Sequence, residues 1–274
     1  MRLKFLYPHW GSESLSMSSF FETVSSNGFD GIEINIPQDA SLQKELHSQL
    51  NHQRQHNPEF ICVAQQVLGI KTETPHQYLE RVKQRLEALV EFKPNFINSH
   101  TGRDYYFFDE NCRIIEAIEN FSERTNIPVY HEIHRGRFTF HSLTTLRYLE
   151  KFPSLKLVGD LSHWCVVSEA MLQNQNAIIT QVIPHIHHVH ARVGFEQSPQ
   201  VNNPFAPEWQ SYLQQFLVWW KQILEQHKAK EQFTITPEFG PYPYMPQQPF
   251  TKEPLADQKM INLKMKDYLK THLT

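Results

Sequence analysis

The sequence places four side chains that can bind a metal ion near the ends of four successive predicted strands. Glu132 ends the run Val129-Tyr130-His131, Asp160 follows Leu157-Val158-Gly159, His190 ends His188-Val189, and Glu238 follows Thr236-Pro237. Three carboxylates and one imidazole form an oxygen-rich set that suits Mn²⁺ or Mg²⁺, with Zn²⁺ or Co²⁺ as alternatives. Without a cation the carboxylates would repel one another, and at least one would take up a proton. We therefore predict that Glu132, Asp160, His190 and Glu238 hold one divalent metal ion.

A second interpretation of these residues requires no metal. A carboxylate that points into a protein interior is often paired with a basic side chain, and Arg135, Arg137 and Arg192 lie close by in the sequence. A buried network of ion pairs therefore remains an alternative to the metal site.

Histidine is unevenly distributed along the chain. Of 16 histidines, eight lie between residues 131 and 190. Near the predicted strand ends, His100, His134 and His163 are candidates for binding the substrate, together with Arg192. A hydrogen bond to a metal-binding carboxylate is an equally good role for any of these histidines.

Other residues near the strand ends could complete a binding site. His9 and Trp10 after the first strand, and residues Tyr105 to Phe108 after the fourth, could form an aromatic wall against a sugar face, although aromatic side chains in loops are as often simple packing. The segment from about Gly194 to Glu208 is an insertion that could act as a lid or as a subunit contact.

The strands that position these residues recur at a regular spacing. Eight short apolar runs are predicted to end near Tyr7, Ile36, Val67, Ser99, Glu132, Asp160, His190 and Glu238. Six of the seven intervals are 28 to 33 residues, the length of one strand and one helix, and the seventh is 48 residues because of the insertion. Eight such units favour one (β/α)8 barrel, a TIM barrel with a parallel eight-stranded core, spanning residues 1–274 as a single domain.

Alternation within the strands predicts which side chains face the barrel interior. Glu33 alternates with the isoleucines of the second strand, Asn98 and His100 share one face of the fourth, and His188, His190 and Arg192 share one face of the seventh. By the same rule His185 and His187 face outward.

Helices are predicted between the strands from their apolar spacing. Thr74-Pro75-His76-Gln77 has the pattern of a capping box with proline at the first helical position. Further helices are expected over about 109–124, 209–227 and 255–273.

Composition excludes several classes of protein. The net charge of −3 does not provide the basic surface that nucleic acid requires. The apolar runs are far shorter than the roughly 18 residues of a membrane span. Three widely spaced cysteines without a C-x-x-C pair fit a reducing compartment, and we expect a cytoplasmic protein.

Taken together, the residues resemble the sugar isomerase/epimerase superfamily of xylose-isomerase-like TIM barrels, over essentially the whole chain. The most specific features are Glu132 in His-Glu-Ile-His, the Asp-x-x-His of Asp160 and His163, and His190 and Glu238 on the last two strands. Similarity to the ketose 3-epimerases implies that Glu132 and Glu238 are catalytic, that His163 contacts the substrate, and that Arg192 binds its oxygens. Arg192 follows His190 more closely than the corresponding arginine does in those epimerases.

The resemblance implies a metal-dependent isomerase or epimerase that acts on a ketose or related carbonyl sugar through an enediolate. Its expected partner is a small carbohydrate, and the superfamily suggests a homo-oligomer. An inosose dehydratase and a hydroxypyruvate isomerase use similar chemistry and remain alternatives. An apurinic-site endonuclease is disfavoured by the net charge and by the lack of further metal ligands. A non-catalytic sugar-binding barrel is a further alternative.

Overall fold

Eight parallel strands form a closed barrel in which each strand pairs with its neighbours in chain order and β8 pairs with β1. The computed structural model describes residues 1–273. The strands are β1 (Arg2–Pro8), β2 (Gly31–Ile34), β3 (Ile61–Gln66), β4 (Phe96–Ser99), β5 (Val129–Glu132), β6 (Leu157–Gly159), β7 (Ile186–His190) and β8 (Gln232–Thr236). Each ends within two residues of its predicted position, so the predicted single (β/α)8 barrel is confirmed.

Helices surround the barrel and cover the outward faces of the strands. They are α1 (Met17–Ser26), α2 (Ala40–His56), α3 (Pro75–Val90), α4 (Phe108–Thr125), α5 (Ser142–Lys151), α6 (Ser162–Val167), α7 (Asn176–Val182), α8 (Gln210–Gln226) and α9 (Gln258–His272). Short 3₁₀ turns at Ile183–His185 and Pro207–Trp209 precede β7 and α8. Within residues 1–273, no helix combines the length and apolarity needed to cross a bilayer.

The predicted capping box opens α3. Gln77 N donates to Thr74 Oγ1 at 3.3 Å, and Thr74 N donates to Gln77 Oε1 at 2.9 Å. Two backbone donors that the helix leaves unpaired are thereby satisfied. The helices predicted over 109–124, 209–227 and 255–273 correspond to α4, α8 and α9.

The barrel interior has an apolar layer below a polar layer. Leu6, Ile61, Val63 and Phe96 form a small buried cluster of their own at the amino-terminal end of the strands. Because successive strand residues alternate, Gln65 and Asn98 lie on the same face as Val63 and Phe96 but one step nearer the carboxyl ends. The polar layer is therefore at the end of the barrel where TIM-barrel enzymes have their active sites.

Candidate metal centre and active site

The four predicted metal ligands converge at the carboxyl end of the barrel. One ligand atom from each of Glu132, Asp160, His190 and Glu238 lies within 4.8 Å of the others. All four side chains are buried. Strands β5, β6, β7 and β8 are neighbours in the sheet, which is why residues more than 100 positions apart share one small volume.

His190 presents an unpaired nitrogen to this cluster. Its Nε2 lies 3.0 Å from Oε1 of Glu33, to which it donates a hydrogen bond. Its Nδ1 lies 2.8 Å from Oε2 of Glu238 and 3.7 Å from Oε1 of Glu132, yet it has no hydrogen-bond partner because the contact geometry is unsuitable. When a cation replaces the proton of Nδ1 and Nε2 keeps its own, the Nδ1 lone pair can coordinate that cation.

The surroundings of His190 favour positive charge. Burial disfavours the imidazolium, but Glu238 and Glu33 outweigh this effect and hold the pKa of His190 well above its ordinary value. The same negative field would attract a metal ion to this position.

Glu132 keeps one oxygen free to face the cluster. Its Oε2 accepts hydrogen bonds from Nδ2 of Asn98 at 2.7 Å and from Nε2 of His100 at 2.9 Å, while Oε1 points toward His190. Burial alone would raise the pKa of Glu132, but His100 and His190 reverse the direction and keep it below its ordinary value. The carboxylate is therefore ionised, as a metal ligand must be.

Asp160 is held by a serine and an arginine. Ser162 donates to Oδ1 at 2.5 Å, and Arg192 forms an ion pair with Oδ2. Burial raises the pKa of Asp160 to about 6, although Arg192 opposes the shift. Arg192 also lies 3.7 Å from Oε2 of Glu238, so it borders two of the four predicted ligands.

Ion pairs with basic side chains neutralise only part of the negative charge of the four-residue cluster. Among the described ion pairs of the chain, Arg192 is the one arginine that reaches the four residues. Arg135 lies over the Tyr244 ring, and Arg137 donates to His100. Arg192 and a protonated His190 together offer two positive charges to the three carboxylates of the cluster and to Glu33, so negative charge remains. The residues therefore fit a divalent cation.

The hydrogen-bond partners define the proton positions on His100 and His134. Arg137 can only donate, and its Nη2 lies 3.3 Å from Nδ1 of His100, so the proton of that ring is on Nε2 and is donated to Glu132. His134 donates from Nδ1 to the backbone oxygen of Arg135 at 2.5 Å, which leaves Nε2 to accept from Tyr244 at 3.4 Å. Burial, followed by the proximity of His100, lowers the pKa of His134 to about 3.

A cavity of about 440 Å³ opens above the cluster. The candidates Glu132, Glu238, His100, His134 and Arg192 line it. His163 does not line it, because it is fully buried behind His134, with a ring-centroid distance of 3.9 Å, and accepts a hydrogen bond from Arg192 at 2.9 Å.

The predicted aromatic wall is only partly present. His9 and Trp10 line the cavity, but none of the residues from Tyr105 to Phe108 does. Phe108 instead begins α4, and Tyr106 and Phe108 border a separate depression beside Tyr148. The aromatic residue that the sequence did not suggest is Tyr244, which contacts the Trp10 ring edge-on at 4.9 Å.

Glu33 is the main residue that the site prediction missed. It is fully buried and accepts hydrogen bonds from side chains on β3, β4, β7 and β8: Gln65, Asn98, His188, His190 and Thr236. The alternation of β2 predicts that Glu33 faces the interior, but a single inward glutamate does not indicate a contact with His190.

The insertion packs against the loop that follows β8. Gln200 accepts from Gly240 N at 2.7 Å and donates to Gly240 O at 3.0 Å. In the described chain no residue from 194 to 208 lines the cavity. The lid interpretation therefore has no contact with the cavity to support it, and the subunit contact stays a prediction.

The comparisons with known proteins agree with this architecture. The sequence matches no family model and no curated protein. Among similar solved structures, the probable 3-DHS dehydratase AsbF of Bacillus anthracis has 19% sequence identity and a TM-score of 0.65, and the match covers 100% of each chain. The IolI protein with a bound zinc atom has 11% identity and a TM-score of 0.63 over 97% of each chain. A xylose isomerase-like TIM barrel protein of Mycobacterium smegmatis in complex with magnesium has 9% identity and a TM-score of 0.63, over 99% of this chain and 98% of that one. The chain therefore has the fold of the xylose isomerase-like TIM barrels.

Proposed function

We propose that the protein is a metal-dependent sugar isomerase or epimerase, which binds one divalent ion through Glu132, Asp160, His190 and Glu238. The proposal is carried by one observation. The Nδ1 atom of His190 is buried without a hydrogen bond and faces the carboxylates of Glu132 and Glu238. Magnesium and zinc in two proteins of the same fold support a divalent ion, with Mn²⁺, Mg²⁺, Zn²⁺ and Co²⁺ as candidates.

The reaction begins with removal of a proton next to a carbonyl group. When bound, the cation stabilises the negative charge that develops on the carbonyl oxygen. One of the two glutamates takes the proton from carbon while the C–H electron pair moves into the bond to the carbonyl carbon. The other glutamate returns a proton, on the opposite face for epimerisation.

Residues at the cavity surface orient the substrate. His100 holds its Nε2 proton toward Glu132, and His134 presents Nε2 beside the Tyr244 hydroxyl. Arg192 is fixed by Asp160 at the cavity edge, where a guanidinium can bind substrate oxygens. His163 holds His134 and Arg192 in position, because it contacts these two side chains and does not line the cavity.

Dehydration is the second candidate. It begins with the same proton removal and ends with loss of a hydroxyl group. The similar structures include a probable 3-DHS dehydratase whose whole chain aligns with this one. The two candidates differ in their products, since only dehydration lowers the substrate mass by one water.

The first experiment measures metal. We expect about one divalent ion per chain in the purified protein or after incubation with Mn²⁺, and loss of that ion in His190→Ala. His187→Ala is the matched control, because His187 lies on the same strand but contacts Lys230 instead of the cluster. A wild-type protein that takes up no Mn²⁺ would favour the ion-pair network and remove the basis of the enzyme proposal.

The second experiment follows carbon-bound deuterium. Ketoses and cyclic carbonyl polyols are incubated in D₂O with the loaded protein and analysed by NMR and mass spectrometry. We expect deuterium incorporation that Glu132→Gln and Glu238→Gln abolish. Bound metal without exchange on any of these compounds would support the non-catalytic, sugar-binding alternative.

A further inference from the structure

The cavity has two chemically different halves. The half formed after β4 to β8 carries the charged and imidazole groups of the proposed reaction. Ten residues line the half formed after β1, β2 and β3, and six of them are apolar: Trp10, Leu15, Met17, Pro37, Leu42 and Val67. A substrate whose carbonyl end faces Glu132 and Glu238 therefore extends its other end over hydrocarbon.

Hydroxyl groups would find few partners in the apolar half. Four polar side chains line this half, His9, Glu13, Asn35 and Gln65, and three of them already have hydrogen bonds, while the His9 ring packs edge-on against Phe20 at 4.8 Å. Gln65 donates to Glu33 and Glu238, Asn35 accepts from Arg85, and Glu13 accepts from the backbone of Gly11. A buried hydroxyl left without a partner costs about 1–3 kcal/mol. A polyhydroxylated chain would meet this cost more than once.

The charge of the cavity disfavours an anionic substrate. Its carboxylates belong to Glu13, Glu132 and Glu238. Arg192 is the one lysine or arginine among the lining residues that the structure describes, and its guanidinium is paired with Asp160. Phosphate groups are normally bound by several cationic or backbone donors, and the lining offers no such cluster.

We propose that the substrate is an uncharged hydroxy-carbonyl compound whose distal part is aliphatic or aromatic, rather than a polyhydroxylated or phosphorylated chain. This inference rests on the metal binding and the proton removal of the proposed function, because it takes the carboxylate cluster as the place of the reacting end. It replaces the sugar named there by a compound with few hydroxyl groups in its distal part. The cavity volume of about 440 Å³ accommodates a ring with substituents.

Hydroxamates test the inference without requiring turnover. A hydroxamate chelates a divalent ion through two oxygens, so acetohydroxamate, benzohydroxamate and a trihydroxybutanohydroxamate share one anchor and differ only in the distal group. Binding to the Mn²⁺-loaded protein is measured by calorimetry. We expect benzohydroxamate to bind at least tenfold more tightly than acetohydroxamate, and the trihydroxy compound to bind no more tightly than acetohydroxamate.

Variants of the apolar half separate its contribution from metal chelation. In Leu42→Asn and in Leu15→Asn we expect the benzohydroxamate preference to shrink several-fold while acetohydroxamate affinity stays unchanged. Leu143→Asn is the control, because Leu143 is exposed and does not line the cavity. Leu15 is itself 37% exposed, which limits the effect of that substitution on folding.

The outcomes distinguish the two proposals. Tighter binding of the trihydroxy compound, or equal binding of all three, overturns the apolar substrate and leaves the metal site intact. Mn²⁺ binding without any hydroxamate binding also overturns it. Failure to bind Mn²⁺, measured beforehand, is instead the failure of the proposed function.

Discussion

Arg192 forms an ion pair with Asp160, 32 residues earlier in the chain, inside the barrel mouth where both side chains are buried. The guanidinium therefore neutralises one predicted metal ligand and would lie next to a bound cation. The guanidinium and a bound cation would repel each other, but the buried carboxylate of Asp160 needs a positive partner when no metal is present. The ion pair therefore stabilises the site in the metal-free protein, and the metal ion takes over part of that role when it binds.

Replacement of Arg192 by methionine tests this relationship. Without the guanidinium, the pKa of Asp160 rises further from its value of about 6, and the metal-free protein loses a buried ion pair. We expect a loss of about 3 kcal/mol or more in unfolding free energy in the presence of a chelator. We also expect Mn²⁺ to raise the melting temperature more in Arg192→Met than in the wild type. Thermal unfolding with and without Mn²⁺ measures both effects.

Arg124→Met is the control for this experiment. Arg124 pairs with Glu87 on the exposed surface, where such a pair contributes at most about 1 kcal/mol. If Mn²⁺ stabilised Arg192→Met and the wild type equally, the proposed effect of Arg192 on the metal site would be wrong.

A second prediction concerns Glu33 and the orientation of His190. Glu33 accepts the hydrogen bond that Nε2 of His190 donates and thereby directs Nδ1 toward the carboxylates. In Glu33→Gln the shape is retained but the charge that favours this arrangement is removed. We expect Mn²⁺ affinity to fall about 10- to 100-fold, as for other carboxylates that orient a metal-binding histidine. A competition titration with a fluorescent chelator measures the affinity.

Glu119→Gln supplies the matched comparison. Glu119 also contacts a buried histidine, His131, at 3.2 Å, but it lies outside the four-residue cluster. Unchanged Mn²⁺ affinity in Glu33→Gln, or an equal loss in both variants, would contradict the assigned role of Glu33.

The sequence predicted those parts of the site that depend on strand position. Regular spacing located the strand ends, and the closed barrel then brought Glu132, Asp160, His190 and Glu238 together. Alternation also predicted that Glu33 and Asn98 face inward. These features follow from backbone periodicity, which is encoded locally in the order of polar and apolar residues.

Features that depend on loop conformation were not predictable. Tyr244 lies six residues after Glu238, and its approach to His134 and Trp10 depends on the path of the loop after β8. The resemblance predicts that His163 contacts the substrate, but its place behind His134 depends on the turn between β6 and α6. Side chains on loops do not follow the strand period, so spacing alone gave no information about them.

Close packing between β2 and β3 provides a prediction about the scaffold. A Cβ atom at Gly31 would lie 2.0 Å from the backbone oxygen of Ile61, and a backbone atom in a paired strand cannot move aside easily. We expect Gly31→Ala to lower the unfolding free energy by about 1–3 kcal/mol or more, measured by urea denaturation. Gly69→Ala is the control, because nothing lies within 4 Å of its added methyl group. Equal stability of the two variants would show that the strands separate at little cost.

The last prediction concerns acid sensitivity and His187, on the outer side of β7. Burial, and then the nearby Lys230, lower the pKa of His187 to about 3, while Lys230 Nζ donates to its Nδ1 at 3.1 Å. In the unfolded chain a histidine has a pKa of about 6.5, so between pH 6.5 and pH 3 the unfolded state binds more protons. The neutral ring therefore contributes stability that is complete above pH 6.5 and is lost as the pH falls through this window.

We expect His187→Gln to reduce this acid sensitivity. Between pH 7.5 and pH 5, in the presence of a chelator, its unfolding free energy should decrease less than that of the wild type, by about 1 kcal/mol after allowance for partial solvent exposure. Urea denaturation at the two pH values measures the difference, and the exposed His76→Gln is the control. Because both measurements compare a variant with the wild type at the same pH, the buried histidines of the candidate site contribute equally and cancel. Identical pH dependence in His187→Gln and the wild type would mean that His187 is protonated in the folded protein with little penalty.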